Sequence, residues 1–192
     1  MDNLQNVKLI LASSSPRRQQ FFRDLGLDFE IRIREVDEVF PPHLQGADIT
    51  RHIAKLKADA FDDLQPGELL VTSDTLVWHD GQALGKPKDF DDAVKMLTRL
   101  SGSSHQVFTS VCFRTSGSCE LIDDETTVTF NRLTDAEIRD YIERFQPMDK
   151  AGAYGIQDRI GLVGVRKIEG SYANVMGLPV DKVYRYLADF KP

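Results

Sequence analysis

The chain starts with a short apolar run that breaks at once into a helix start, and this feature most constrains the fold. Val7-Lys8-Leu9-Ile10-Leu11-Ala12 passes without a spacer into Ser13-Ser14-Ser15-Pro16-Arg17-Arg18. The run is too short for the core of a signal peptide and well below the roughly 20 apolar residues that span a bilayer. It therefore reads as a buried strand. Ser15 can cap a helix whose first position suits Pro16, Phe21, Phe22 and Leu25 supply an apolar face, and Gly26 ends it. A strand that feeds straight into an amphipathic helix is the opening of an α/β fold.

The rest of the chain keeps that alternation. Phe29 to Ile33 reads as a strand, and Asp48 or Thr50 opens a helix striped by Ile49, Ile53, Leu56 and Ala60. Leu69-Leu70-Val71 reads as a buried strand ending in Thr72-Ser73-Asp74-Thr75. Leu76-Val77-Trp78 then continues to a turn at His79-Asp80-Gly81. A third helix over 91–100 places Ala93, Met96, Leu97 and Leu100 on one face, and Gly102 stops it. Val107 to Arg114 and Glu125 to Phe130 form a strand pair joined around Ser116-Gly117-Ser118. Thr134 and Glu137 make a capping box before Ile138, Tyr141, Ile142 and Phe145. A glycine-rich run from Gly152 to Gly164 leads to a strand ending at Ile168. A last helix from Pro179 carries Val180, Val183, Tyr184 and Leu187. Helices interleaved with strands, one pair of them antiparallel, predict an α/β fold with a mixed sheet.

At 192 residues the chain suits one domain, or one domain with two lobes. No apolar stretch is long enough to span a membrane, so the expected location is the cytoplasm, where Cys112 and Cys119 stay unpaired thiols even if they face each other across a hairpin. The formal net charge of −6 argues against binding to nucleic acid or anionic lipid. A polyphosphate site on such a chain must gather its cations locally or borrow a metal ion.

Ser13-Ser14-Ser15-Pro16-Arg17-Arg18 lies where unpaired helix N–H groups, hydroxyls and two guanidinium groups can meet phosphate, or it is a capped helix with solvated arginines. It lacks the spacing of a P-loop. Asp74 follows a buried strand, where α/β folds place their sites, and can hold a divalent ion or take a proton from water; a turn aspartate is the alternative. Val36-Asp37-Glu38 offers two adjacent carboxylates. Lys57 flanks the stripe of its helix, and Lys86 stands between Gly85 and Pro87. The Asp149 to Gln157 segment packs glycines closely enough for the backbone to approach a ligand, and the Gln157 amide can read a base edge. The four histidines show no metal-ligand spacing, and Trp78 reads as packing.

These segments together resemble the Maf family, the septum formation inhibitor Maf-like proteins, from Leu9 to about Phe190. The resemblance rests on Ser13 to Arg18, Val36-Asp37-Glu38, Lys57, Ser73-Asp74-Thr75, Gly85-Lys86-Pro87, Gly152 to Gln157 and Gly177-Leu178-Pro179. It implies a mixed, elongated α/β sheet with two lobes around a cleft, similar to inosine triphosphate pyrophosphatases, and a homodimer. It implies a nucleotide pyrophosphatase in which Glu38 and Asp74 hold Mg2+, with Mn2+ or Co2+ as alternatives. Asp74 would orient or deprotonate the attacking water. Arg18, Lys57 and Lys86, with Ser13 and Ser15, would grip the triphosphate.

Arg17, Thr75 and Gln157 match the branch that prefers dTTP and UTP. Ser73 and Gly85 stand where many members of that branch have alanine and glutamate, and here the chain is similar to the branch associated with 7-methyl-GTP. The expected reaction yields the nucleoside monophosphate and pyrophosphate. The same reaction on 7-methyl-GTP or another noncanonical nucleotide, and a septum regulator acting by protein binding, are the alternatives.

Overall fold

The computed structural model describes residues 2–191. Its strands are β1 (Lys8–Leu11), β2 (Glu30–Ile31), β3 (Glu68–His79), β4 (Gln82–Leu84), β5 (Ser104–Arg114), β6 (Cys119–Phe130) and β7 (Val165–Glu169). Its helices are α1 (Pro16–Asp24), α2 (Ala47–Asp59), α3 (Phe90–Leu100), α4 (Asp135–Phe145), α5 (Arg159–Gly164), α6 (Tyr172–Val175) and α7 (Val180–Asp189). The strands form one seven-stranded sheet in the order β2-β1-β3-β5-β6-β7, with β4 paired to β3. β1 runs parallel to both β2 and β3, whereas β3–β4 and β6–β7 are antiparallel. The fold is mixed α/β, as the alternation of strands and helices predicts.

The continuous apolar run of β1 follows from its place. A parallel strand with neighbours on both edges is covered on both faces, so it has no polar side. Leu9 and Leu11 join Leu69 and Val71 of β3 in a cluster with Phe22 of α1 and Val183 and Leu187 of α7. The alternating residues Ile10 and Leu70 join Ala54 and Ala58 of α2. The helices that precede and follow β2 therefore cover opposite faces of β1.

By its contacts the chain forms two compact units. The first holds the residues up to Asp74, 109–124 and those from Gly177 on; the second holds 75–108 and 125–176. The first unit's core is the pair of clusters on β1 and β3. The second has its own core, in which Leu97 and Leu100 of α3 and Ile138, Tyr141 and Ile142 of α4 pack with Val128 and Phe130 of β6. Among the described residues no helix is long and apolar enough to cross a membrane.

Several expectations are corrected. The strand expected to end at Asp74 and Thr75 is one continuous strand to His79. β2 has only two residues, both exposed, because it lies at the sheet edge. α2 begins at Ala47 after Gly46, whose φ is +50°, and not at Asp48 or Thr50. Thr50 is buried within the helix, its hydroxyl 2.7 Å from that of Ser110. β6 begins at Cys119, ahead of Glu125: its first half mixes Leu121 and Ile122 with Glu120, Asp123 and Asp124 and buries none of them fully, so only its second half shows the alternation of a half-buried strand. The hydroxyl of Ser15 caps nothing; instead the Ser15 N–H donates to Ser13 Oγ at 3.2 Å. Thr134 and Glu137 do form the capping box. Cys112 and Cys119 are both free, with their sulfurs 2.9 Å apart across the hairpin.

Candidate active site

Pairing between β1 and β3 stops at Leu11 and Val71. Past that point β1 turns into Ser13 and α1, while β3 continues through Ser73 and Asp74. β1 thus ends where α1 and α2 cover opposite faces of the sheet, and β3 runs on past that end carrying Asp74; the end of β1 is the place an open α/β sheet offers a ligand. Side-chain alternation along β3 puts Leu70, Thr72 and Asp74 on the face covered by α2. Thr72 Oγ1 donates to the Ala54 carbonyl at 2.6 Å and fixes the helix against the strand. Lys57, one turn beyond Ala54, then reaches Asp74.

The ammonium of Lys57 joins two carboxylates. Its Nζ is 2.9 Å from Asp74 Oδ1 and 2.9 Å from Glu38 Oε1. Of the two acids after the second strand, Glu38 is the one that reaches Lys57. Its side chain is 46% exposed, whereas Asp74 is 14% and Lys57 17% exposed, so one arm of the bridge is wet and the other nearly dry. Burial raises the Asp74 carboxyl above its ordinary value, opposed by the positive charges of Lys57 and Arg18 and reinforced by Glu38.

Arg18, in the first turn of α1, is held by backbone. Its Nε donates to the Gly177 carbonyl at 2.8 Å and a terminal nitrogen donates to the Ser73 carbonyl at 3.1 Å. Burial lowers its guanidinium from the ordinary value, and the charge of Asp74 opposes that. Arg17, half-buried beside it, acts in the same direction as burial. Ser13 is buried, and the hydroxyl of half-buried Ser15 lies at the helix start, where free N–H groups favour an anion. The first unit therefore brings together Ser13, Ser15, Arg17, Arg18, Glu38, Lys57 and Asp74. Arg18 and Lys57 meet Asp74 and Glu38 here, with Arg17 acting beside Arg18, so cations are gathered locally on a chain of net −6.

Thr75, Lys86 and Gln157 belong to the second unit. Thr75 is half-buried on β3. Lys86 is exposed, and its loop is tied to the glycine run by the Gly152 N–H donating to the Gly85 carbonyl at 3.0 Å. Gln157 is third in the turn from Gly155 to Asp158, closed by the Asp158 N–H on the Gly155 carbonyl at 3.0 Å. Its Oε1 is buried and has no hydrogen-bond partner among the described residues. Sequence reasoning gave no role to the carbonyls of Ser73 and Gly177. For Gly177 a signal existed, a glycine just before the Leu178-Pro179 helix start; its φ is +109°.

Two carboxylates that already share one cation at 2.9 Å suit a hard divalent ion whose remaining ligands are water and phosphate oxygens. Among the described residues no group of three or more His, Cys, Asp or Glu side chains meets, so the protein itself would offer such an ion two side-chain ligands.

The fold is of a class already represented among solved structures. A HAM1 protein from Coxiella burnetii superposes with a TM-score of 0.52 over 96% of this chain and 100% of that one, at 12% identity, and so shares the fold alone. The profile of the Maf-like proteins matches residues 8–190, and the chain belongs to the Maf family. Its relatives include the dTTP/UTP pyrophosphatase of Flavobacterium psychrophilum, 59% identical over 95% of this chain and 94% of the relative. The dTTP/UTP pyrophosphatase of Flavobacterium johnsoniae is 56% identical over 97% of this chain and 96% of the relative.

Proposed function

We propose that this protein hydrolyses dTTP and UTP to the nucleoside monophosphate and pyrophosphate by attack of water on the α-phosphorus. The observation that carries the reading is the Lys57 bridge between Asp74 and Glu38, with Arg18 fixed beside it, in a chain that is 59% identical to a protein named for this activity.

Asp74 orients the attacking water and accepts its proton, for which it must be ionised; Lys57 and Arg18 favour that form against the burial that opposes it. Arg18 has its guanidinium fixed by two backbone carbonyls, so it stabilises charge on the phosphate oxygens without reorganising as the charge develops. Ser13, Ser15 and Arg17 supply donors and charge at the start of α1, and Lys57 and Lys86 add cations for the departing pyrophosphate. Thr75 and Gln157 bind the nucleoside. Glu38 and Asp74 would hold a divalent cation, Mg2+ by the hardness of their oxygens, with Mn2+ and Co2+ as alternatives. When bound, that ion neutralises phosphate charge and polarises the phosphoryl oxygens. A cytoplasmic homodimer belongs to the same reading, supported by the family resemblance.

The test is a substrate panel of dTTP, UTP, 5-methyl-UTP, CTP and 7-methyl-GTP with Mg2+, and product analysis. Pyrophosphate is expected from dTTP and UTP. Release of orthophosphate in its place would exclude attack at the α-phosphorus, and a preference for 7-methyl-GTP would overturn the substrate assignment. Asp74→Asn should lower kcat by about 10^3-fold or more with an unaltered circular dichroism spectrum, since it removes both a proton acceptor and a charge at the reacting centre. An unchanged rate would remove Asp74 from the mechanism.

A further inference from the structure

One phenol in the second unit holds both ends of the turn that carries Gln157. Tyr141 projects from α4 and is 1% exposed. Its hydroxyl donates to Asp158 Oδ2 at 2.9 Å and accepts the Gly155 N–H at 3.1 Å. Gly155 and Asp158 are the first and last residues of the turn, already joined by their own backbone hydrogen bond of 3.0 Å. Burial pushes the Tyr141 phenol far above its ordinary value, so the hydroxyl stays protonated and keeps donating.

The turn is built to fold its side chains inward. A Cβ on Gly155 would lie 2.4 Å from Asp158 Oδ2 and 3.0 Å from the Gln157 amide nitrogen, so the glycine makes room for both. Lys150 Nζ, 3.9 Å from the same Asp158 oxygen, adds charge that keeps the carboxylate in place. With Gly155 and Asp158 pinned, Gln157 has little backbone freedom, and its Oε1 is left without a protein donor.

We infer that Tyr141 is a positioning residue that sets base selectivity, acting through the turn that presents the Gln157 amide. The chemistry concerns the difference between imide and amidine edges. Uracil and thymine carry an N3–H donor flanked by carbonyl acceptors, so an amide held with its oxygen toward N3 and its nitrogen toward a flanking carbonyl matches them. Oε1, buried in the structure, has no donor among the described residues to give up when it meets N3–H. Cytosine offers an acceptor at N3 and a donor at N4, and can pair only if the amide turns over. A pinned turn resists that reorientation; a loosened one permits it.

This rests on the reading of Gln157 as the base-reading group, so both residues are tested together in the full-length protein. kcat and KM are measured for dTTP, UTP and CTP by pyrophosphate release. Tyr141→Phe should raise KM for dTTP and UTP more than it lowers kcat, and reduce the dTTP-over-CTP ratio of kcat/KM by about tenfold, the size of one intramolecular hydrogen bond lost from the clamp. A Tyr141→Phe protein that loses activity equally on all three substrates would overturn the inference, because that marks a general structural role. If Gln157→Ala leaves the ratio unchanged, the base-reading role itself fails. If Gln157→Ala changes it and Tyr141→Phe does not, only the clamp fails. Should Tyr141→Phe not fold, Asp158→Asn and Asp158→Ala decide. Asn keeps an acceptor for the phenol and should retain the ratio, whereas Ala should lose it; equal ratios in the two would overturn the inference.

Discussion

Ser73 shows how closely one residue can be divided between roles. Its carbonyl accepts from Arg18 at 3.1 Å and from Lys57 at 3.5 Å, so its backbone helps to set the geometry around Asp74. Its hydroxyl is another matter: the residue is 2% exposed, and Oγ has no hydrogen-bond partner among the described residues. An unpaired buried hydroxyl costs roughly 1–3 kcal/mol. Ser73→Ala keeps the carbonyl and removes the cost, so the variant should be more stable by about 1 kcal/mol, read as a higher urea midpoint at unchanged slope. A lower midpoint would mean that the hydroxyl has a partner after all. At this scale the side chains of the site were legible because short motifs in a fixed order carried the family resemblance. The carbonyls of Ser73 and Gly177 were not, since a backbone acceptor has no residue type to announce it. Tyr141 was legible only as a member of an apolar stripe, its hydroxyl hidden by the helical spacing that placed the ring.

Elements with a local chemical signature were readable, and those set by their neighbours were not. The capping box at Thr134 fixed the start of α4, and the apolar run of β1 announced a strand covered on both faces. β2 shrank to two residues because an edge position gives Phe29 to Ile33 little to bury, and Ile31 and Ile33 are 42% and 53% exposed. The glycine run hid α5, and α6 follows β7; their lengths of 6 and 4 residues are too short for helical periodicity to show. Within that run Gly152 has a specific reason to be glycine. Its φ is +67°, and a Cβ there would lie 2.9 Å from Cγ2 and 3.2 Å from Cβ and Cγ1 of Val77 on β3. The Val77 side chain is short and branched and cannot swing aside. Gly152→Ala should therefore cost the backbone strain of a left-handed residue, ~1 kcal/mol, plus an overpacking cost of ~1–3 kcal/mol. Val77→Ala alone should destabilise by leaving a cavity, yet in the Gly152→Ala background it should restore part of the loss. A double-mutant cycle by chemical denaturation measures that coupling. Strict additivity would show that the two side chains do not meet.

For the whole molecule, the two units are expected to respond to acid in different ranges because their buried ionisable groups differ. In the first unit Glu68 is held down at about 2, chiefly by its hydrogen bond from Arg32 and then by the Gln65 N–H. A depressed carboxyl contributes stability that is complete above its ordinary value of 4.5 and is lost as pH falls from there to about 2, so this clamp on β3 is intact between pH 7 and pH 5. In the second unit His105 is 2% exposed on β5, with Nε2 2.7 Å from the Tyr154 hydroxyl and the Phe130 and Tyr154 rings edge-on at 5.3 and 5.4 Å. Burial, with a smaller contribution from the charge of His79, lowers its pKa to about 3. The sign follows from linkage: the unfolded chain takes up the proton near pH 6.5, roughly, and the folded one resists it. The contribution of His105 is therefore complete above about pH 6.5 and falls by about 1.4 kcal/mol per pH unit below it. Urea midpoints between pH 7 and pH 5 should fall in the wild type and fall less in His105→Phe, with the remaining histidines common to both proteins and cancelling. Hydrogen exchange corrected for its intrinsic pH dependence should place the loss in α3 and α4, with α1 and α7 keeping their protection. Equal slopes in the two proteins, or protection lost first in α1 and α7, would show that His105 does not set the acid limit. Protection lost first in α1 and α7 would assign the acid sensitivity to groups in the first unit.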